Sequence, residues 1–153
     1  MISRTNRRMT LCLCLLAALL IFIWGNSLLP ASASSALSQW VRGLLGFTSH
    51  GSAEAGEGVL RKIAHFSEFS LLGMTLSWLY AMLLQKQPVV AAASLLCGIT
   101  TACVDETLQG FSPGRNPSLI DVSIDTAGVA LGIGLLLTGY IILKNIKFWR
   151  KTK

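Results

Sequence analysis

Charged side chains are scarce in this chain of 153 residues. Lysine, arginine, aspartate and glutamate together make up 13% of the sequence, whereas hydrophobic residues make up 52%. A soluble domain carries about 25% charged residues, so this chain has too few charged side chains to form the surface of a water-soluble fold. The length favours one domain, and we predict a single membrane domain over residues 1–153.

The cysteines lack any pattern that indicates a disulfide framework or a metal site. A disulfide framework needs paired cysteines in exposed segments. A free cysteine within an apolar run behaves as a small hydrophobic residue. We therefore predict no redox or metal-binding role for the four cysteines, all of which lie in apolar runs: Cys12, Cys14, Cys97 and Cys103.

The excess of basic residues does not indicate nucleic-acid binding. The net charge of +6 comes mostly from the two chain ends, next to apolar runs, which is how the cytoplasmic flanks of membrane helices are charged. We expect the lipid bilayer as the surrounding phase and no nucleic-acid partner. The sequence leaves the oligomeric state open.

Four apolar stretches reach the length of about 20 residues that a transmembrane helix needs. They cover about residues 9–29, 59–84, 89–109 and 118–143. An apolar stripe over about 36–46 indicates a helix lying in the membrane interface, and residues 50–58, rich in Gly, Ala and Ser, predict a flexible link. The predicted fold is an all-α membrane protein: a bundle of four transmembrane helices with a short interfacial helix in the first outer loop.

The first stretch has a second interpretation as a signal peptide. Basic residues precede the apolar run, and Ala31-Ser32-Ala33 after it forms an A-x-A cleavage site. The run is long for a signal peptide, and Trp24 suits a membrane interface, so a retained helix is favoured. Both interpretations stay open at this point.

Orientation follows from the distribution of charge. With the N-terminus inside, the cytoplasmic face holds nine of the thirteen basic residues, as the positive-inside rule requires. We therefore predict a multi-pass protein of the cytoplasmic (inner) cell membrane with both termini cytoplasmic. All seven acidic residues then lie outside or in the outer half of the membrane.

Polar and ionisable side chains from three predicted helices gather at that outer end. A charge at the bilayer centre costs roughly 2.5–3.5 kcal/mol, so we expect these groups to face one another in a polar cleft. Candidate catalytic residues are His65, Glu68, Asp105, Glu106, Gln109, Asp121 and Asp125, and candidate ligand-binding residues are Arg61, Lys62 and Arg115. No organic cofactor is indicated, but a divalent cation is a candidate ligand, with Glu106 and Asp121 as the residues that would hold it.

Three local patterns also have purely structural interpretations. Ser118 to Asp121 fits a helix capping box, and Gly128-x-x-x-Gly132 is typical of close helix packing. Residues 110–114 match the G-x-S-x-G nucleophile string. That motif requires a strand before the turn, whereas here the segment connects two predicted helices.

Three blocks within residues 59–135 resemble the VanZ-like family of bacterial membrane proteins. The resemblance implies an integral membrane protein with VanZ-like topology. The family's namesake is associated with teicoplanin resistance, and no settled biochemical activity accompanies the fold. The family often has Asn at the position of Asp125. The matching blocks are RKIAHFSEF (61–69) with Leu72-Gly73, DETLQGFSPGR (105–115), and SLID (118–121) with DTAG (125–128).

Four hypotheses follow for the function. The first is a protein of the cell envelope that binds or modifies a lipid or lipid-linked precursor at the outer face, with a link to glycopeptide susceptibility. The second is an enzyme proper, a phosphatase or transferase acting on lipid-linked phosphate. The third is a proton-coupled transporter component, and the fourth is a non-catalytic subunit that supports a partner.

Overall fold

The computed structural model describes residues 4–44 and 53–151. Those residues form helices and short connections and contain no strand, which confirms the predicted all-α class. The elements are α1 (Arg4–Ser27), α2 (Ala31–Leu44), α3 (Ala53–Leu83), α4 (Gln87–Gln109) and α5 (Leu119–Lys151).

Local sequence signals set the starts of the last two helices. A proline lies in the first turn of α4, where its missing N–H is not needed for a helical hydrogen bond. Ser118 precedes α5, and its hydroxyl accepts a hydrogen bond of 3.2 Å from the backbone N–H of Ile120. This contact satisfies one of the donors that every helix N-terminus leaves free.

The predicted flexible link over residues 50–58 is wrong for its second part. The helix α3 already begins at Ala53, because alanine and glutamate have high helix propensity and outweigh the two glycines of this segment. The first part, residues 50–52, lies outside the described residues. The helix predicted over about 36–46 begins earlier, at Ala31, and is described as far as Leu44.

The helix α3 lies at the centre of the bundle and packs against the other four helices. Three of its side chains, Phe69, Leu72 and Leu76, are buried in the hydrophobic core. Ile23 of α1 is also fully buried there. The remaining core side chains come from α4 and α5: Ala102, Val129 and Ile133.

Glycines bring α3 and α5 into close backbone contact. A Cβ on Gly128 would lie 2.5 Å from the carbonyl oxygen of Phe66, and a Cβ on Gly132 would meet the carbonyl oxygen of Ser70 and lie 2.8 Å from the amide nitrogen of Met74. The predicted packing role of Gly128-x-x-x-Gly132 is therefore confirmed. This contact holds the polar first turns of α5 beside the polar residues 61–68 in the middle of α3.

Three described helices are long and apolar enough to cross a membrane: Asn6–Ser27, Gln87–Gln109 and Leu119–Asn145. The helix α3 is not one of them, because several polar residues interrupt its apolar sequence. Large apolar side chains such as Ile21, Phe22 and Leu96 are exposed on the surface of the bundle, as expected where a helix faces lipid.

Candidate functional site

The carboxylate of Asp105 joins three helices at one end of the bundle. It is fully buried. One oxygen accepts a hydrogen bond of 2.6 Å from the hydroxyl of Ser27 on α1, and the other accepts one of 3.0 Å from the amide nitrogen of Gln109, one turn further along α4. The ring nitrogen Nδ1 of His65, on α3, lies 3.7 Å from that second oxygen. Asp105 is therefore the point where the polar residues of α1, α3 and α4 meet.

His65 and Glu68 lie on one face of α3, three residues apart. His65 is 7% exposed, and its Nδ1 makes no hydrogen bond within the described residues. Glu68 is half-buried, and its Oε2 atom likewise has no hydrogen-bond partner there. Each side chain therefore carries a buried polar atom whose hydrogen-bonding capacity is not used.

Glu106 contacts the start of α5. Its Oε1 atom accepts a hydrogen bond from the backbone N–H of Ser118, which is the bond that the fourth residue of a capping box would accept. Asp121 holds that position in the sequence but instead forms an ion pair with Lys62, 3.5 Å apart, at the more exposed rim of the site. The hydroxyl half of the predicted capping box is present, and Glu106 of another helix supplies the acidic half.

Arg115 is a buried cation in the α4–α5 connection. It is 7% exposed, and none of its three guanidinium nitrogens has a hydrogen-bond partner among the described residues. Burial lowers the pKa of the guanidinium from its ordinary value, and the nearby charge of Arg61 lowers it further, whereas Asp105 and Glu106 oppose that shift. Unsatisfied donors on a buried cation are an energetic cost that an anionic ligand would offset.

A tight turn holds Arg115 in place. The backbone N–H of Arg115 donates to the carbonyl of Ser112 at 3.2 Å, and the hydroxyl of Ser112 donates to the carbonyl of Ser27 at 2.9 Å. Gly114 adopts a φ of 77°, a conformation that glycine reaches without strain. Ser112 therefore anchors the turn to α1, in keeping with the structural interpretation of the G-x-S-x-G string.

Asp125 of α5 completes the inner part of the cluster. It is 1% exposed, and neither carboxylate oxygen accepts a hydrogen bond from a described residue. One donor atom each from His65, Asp105 and Asp125 lie within 4.8 Å of one another. This is the group of metal-ligating side chains found within residues 4–44 and 53–151, and it differs from the predicted pair of Glu106 and Asp121.

A cavity of about 480 Å³ lies between α1, α2 and α3, next to this cluster. Its polar end is formed by Arg61, His65 and Glu68 of α3. Its apolar part is lined by five residues of α1, the α1–α2 connection and α3, among which Phe22 and Ile21 are largely exposed on the surface of the bundle. The apolar lining residues are Ile21, Phe22, Leu29, Leu60 and Ala64.

The ten predicted site residues all lie at this one end of the bundle. Six of them line one small cleft: Arg61, Lys62, His65, Gln109, Asp121 and Asp125. The other four lie at the same end of the bundle but do not line this cleft, and the chemical roles assigned to all ten from the sequence stay predictions. The members of this second group are Glu68, Asp105, Glu106 and Arg115.

Two residues of the site were not predicted from the sequence. Ser112 was noted only as part of the G-x-S-x-G string and was given no site role, and Ser27 lies 78 positions from the carboxylate that it contacts. The available signal for Ser27 was the pair Asn26-Ser27, which interrupts the apolar run at the C-terminal end of α1. A polar pair at that depth indicates a partner within the bundle.

The VanZ/LLP1 family model matches residues 9–143. The chain belongs to the VanZ/LLP1 family. The match extends from α1 into α5 and includes every residue of the site, from Ser27 to Asp125. The resemblance seen in the sequence is therefore confirmed, and the protein is a membrane protein of the VanZ type. No curated protein and no solved structure matches the chain.

Proposed function

We propose that this VanZ/LLP1 protein crosses the cytoplasmic membrane of a bacterial cell four times and binds an anionic envelope lipid or lipid-linked precursor at its outer face. The main observation in support of this proposal is the cavity between α1, α2 and α3. It is apolar along most of its lining and ends at Arg61, His65 and Glu68. A ligand with an apolar chain and a charged head group matches both parts.

In this proposal α3 is the fourth membrane span. Its charged residues are confined to its outer part, where His65 is buried against Asp105 and Lys62 is paired with Asp121. From Phe69 to Leu83 the helix is predominantly apolar. Ionisable groups that face a bundle interior are the form in which membranes tolerate them.

The helix α2 is proposed to lie in the outer membrane interface. The backbone N–H of Ala31 donates to the carbonyl of Pro113 at 3.1 Å, which joins the start of α2 to the outer α4–α5 turn. Trp40 is 66% exposed, and tryptophan is enriched at the level of the lipid head groups. In this position α2 covers the polar end of the cavity, because Ser34 belongs to its lining.

The cationic groups beside the cavity favour a phosphate head group. Arg115 is not among the residues that line the cavity or the cleft, but its charge interacts with those of Arg61 and His65, which do. Its unpaired guanidinium donors match phosphate oxygens in a bidentate arrangement. Arg61 lines both the large cavity and the small polar cleft. A phosphate between these two arginines would satisfy donors that the protein itself leaves unpaired.

The test is native mass spectrometry of the purified protein in detergent with undecaprenyl phosphate and with the uncharged alcohol undecaprenol. We expect the phosphate to bind at least about tenfold more tightly. Arg115→Ala should remove that preference, whereas Lys86→Ala, an exposed cation in the α3–α4 connection, should retain it. Equal binding of phosphate and alcohol by the wild type would overturn the proposal.

A second pair of variants tests the location of the apolar chain. Gly25 lines the cavity, and a Cβ there meets no atom within 4 Å, so Gly25→Leu fills the cavity without a clash. Gly134 also has open space around its Cβ position but lies outside this cavity, so Gly134→Leu is the matched control. Binding should fall only in Gly25→Leu; equal affinity in both variants would place the chain elsewhere.

Modification of the same ligand is the second candidate function. The buried approach of His65 to Asp105 resembles the pairing that orients a histidine for proton transfer. Incubation with undecaprenyl pyrophosphate should then release phosphate, and His65→Gln should bind the lipid but release none. Failure of the wild type to release phosphate would leave binding alone as the proposed function.

A further inference from the structure

We infer that His65, Asp105 and Asp125 form a binding site for one divalent transition-metal ion, Zn²⁺ or Mn²⁺. The three residues come from α3, α4 and α5, and one donor atom of each lies within 4.8 Å of the others. Donor atoms bound to one tetrahedral ion at about 2.1 Å are about 3.4 Å apart, and His65 Nδ1 already lies 3.7 Å from a carboxylate oxygen of Asp105. Side-chain movements on the order of an ångström therefore bring all three into coordination.

The strongest support is the unpartnered state of two of these side chains. Asp125 is 1% exposed, and His65 is 7% exposed. Both carboxylate oxygens of Asp125 and the Nδ1 atom of His65 lack a hydrogen-bond partner among the described residues. Buried polar groups in native proteins are normally satisfied, and a shared cation would satisfy both side chains at once.

Asp105 has the surroundings of a metal ligand held by a second layer of hydrogen bonds. Ser27 donates to one of its oxygens at 2.6 Å, and Gln109 donates to the other at 3.0 Å. Bonds of this kind fix the orientation of a ligating carboxylate. The oxygen of Asp105 that Gln109 contacts lies 3.7 Å from Nδ1 of His65, so the two groups are near enough to share one ion.

The donor set selects the class of ion. One imidazole with two carboxylates suits Zn²⁺ or Mn²⁺, whereas Mg²⁺ and Ca²⁺ prefer oxygen ligands alone. Three protein ligands leave at least one coordination position open, which is the arrangement of a metal that also binds a ligand. The inference rests on the proposed function for the identity of that ligand, a lipid phosphate, but not for the binding of the metal itself.

The experiment measures metal binding in the absence of added lipid. Purified protein in detergent is titrated with Mn²⁺, free Mn²⁺ is followed by electron paramagnetic resonance, and Zn²⁺ is then added as a competitor. We expect one Mn²⁺ per chain, displaced by Zn²⁺. Asp125→Asn should weaken binding at least about tenfold, and Ser123→Ala, at an exposed position of the same helix that bonds to the carbonyl of Leu119, should bind as the wild type does.

A spectroscopic measurement on the wild type avoids dependence on variants that fold poorly. X-ray absorption at the zinc edge of the loaded protein should show nitrogen and oxygen ligands, including one imidazole, and no sulfur. Sulfur ligation would assign the ion to the cysteines and overturn the inference. So would the absence of stoichiometric Mn²⁺ binding, or equal binding by Asp125→Asn and Ser123→Ala.

The two proposals fail separately. Loss of undecaprenyl phosphate binding with the metal site intact would overturn the lipid function alone. Lipid binding by a protein that takes up no Mn²⁺ or Zn²⁺ would overturn the metal site alone, and would leave protons as the compensating charge at Asp125.

Discussion

The hydroxyl of Ser27 donates a hydrogen bond of 2.6 Å to a carboxylate oxygen of Asp105, although the two residues are 78 positions apart in the chain. Both side chains are fully buried. The contact joins the C-terminal end of α1 to the last turns of α4. The first helix therefore supplies a structural part of the polar site and a wall of the adjacent cavity.

Replacing Ser27 should destabilise the protein. In Ser27→Ala one oxygen of the buried Asp105 carboxylate loses its donor, and an unsatisfied buried acceptor costs about 1–3 kcal/mol. Thermal unfolding in detergent should show a lower midpoint for this variant. Ser123→Ala is the control, because Ser123 is exposed and bonds only to the carbonyl of Leu119 in its own helix at 2.9 Å; equal midpoints for the two variants would contradict the prediction.

Adding one methyl group to Gly132 should loosen the α3–α5 contact. A Cβ at this position meets backbone atoms of Ser70 and Met74, which cannot rotate away as a side chain can, so Gly132→Ala should cost about 1–3 kcal/mol of stability. Gly134→Ala lies on the same helix and meets no atom within 4 Å. It should be neutral or slightly stabilising, since alanine is the better helix former. Unfolding midpoints in the opposite order would refute the packing argument.

The first helix should remain attached in the mature protein. A chain cleaved after Ala33 would lose Ser27, the buried Ile23 and one wall of the cavity. Intact-mass measurement of a C-terminally tagged protein purified from membranes should give the full-length mass. A mass corresponding to a chain that begins at Ser34 would instead establish the signal-peptide interpretation.

The proposed orientation predicts which connections are accessible from outside. In a variant without the four native cysteines, Phe111→Cys places a thiol at a position that is 78% exposed in the α4–α5 connection. A membrane-impermeant maleimide should label it in intact spheroplasts. Lys86→Cys in the α3–α4 connection should be labelled only after the membrane is opened; the reverse pattern would place the site on the cytoplasmic face.

The helices were predictable where the apolar run was long and its ends carried a clear signal. The second, third and fourth predicted spans end at 84, 109 and 143, and the described helices end at Leu83, Gln109 and Lys151. The last helix runs further because the basic residues after Leu143 are good helix formers. The start of α3 at Ala53 was missed because glycine weakens a helix without preventing it.

The clustering of polar side chains at one end of the bundle was predictable because membranes penalise isolated charges. Residues such as His65 and Asp125 lie on different helices at a similar depth. They avoid the cost of exposing an ionisable side chain to lipid when they face one another. The particular pairs were not predictable from this argument. Lys62 contacts Asp121 and Glu106 contacts Ser118, and each choice depends on the rotation of one helix against the next.

The sequence by itself determined the all-α membrane class and the end of the bundle where polar groups collect. Those properties follow from composition and from spacing along single helices. It predicted four membrane spans, whereas three of the described helices are long and apolar enough to cross a membrane. Only the tertiary structure decided that Ser27 supports Asp105, that Arg115 is buried with unpaired donors, and that Asp125 lies close to His65. The last of these contacts depends on how closely α3 and α5 approach through Gly128 and Gly132, and all of them are set by packing between segments far apart in the chain.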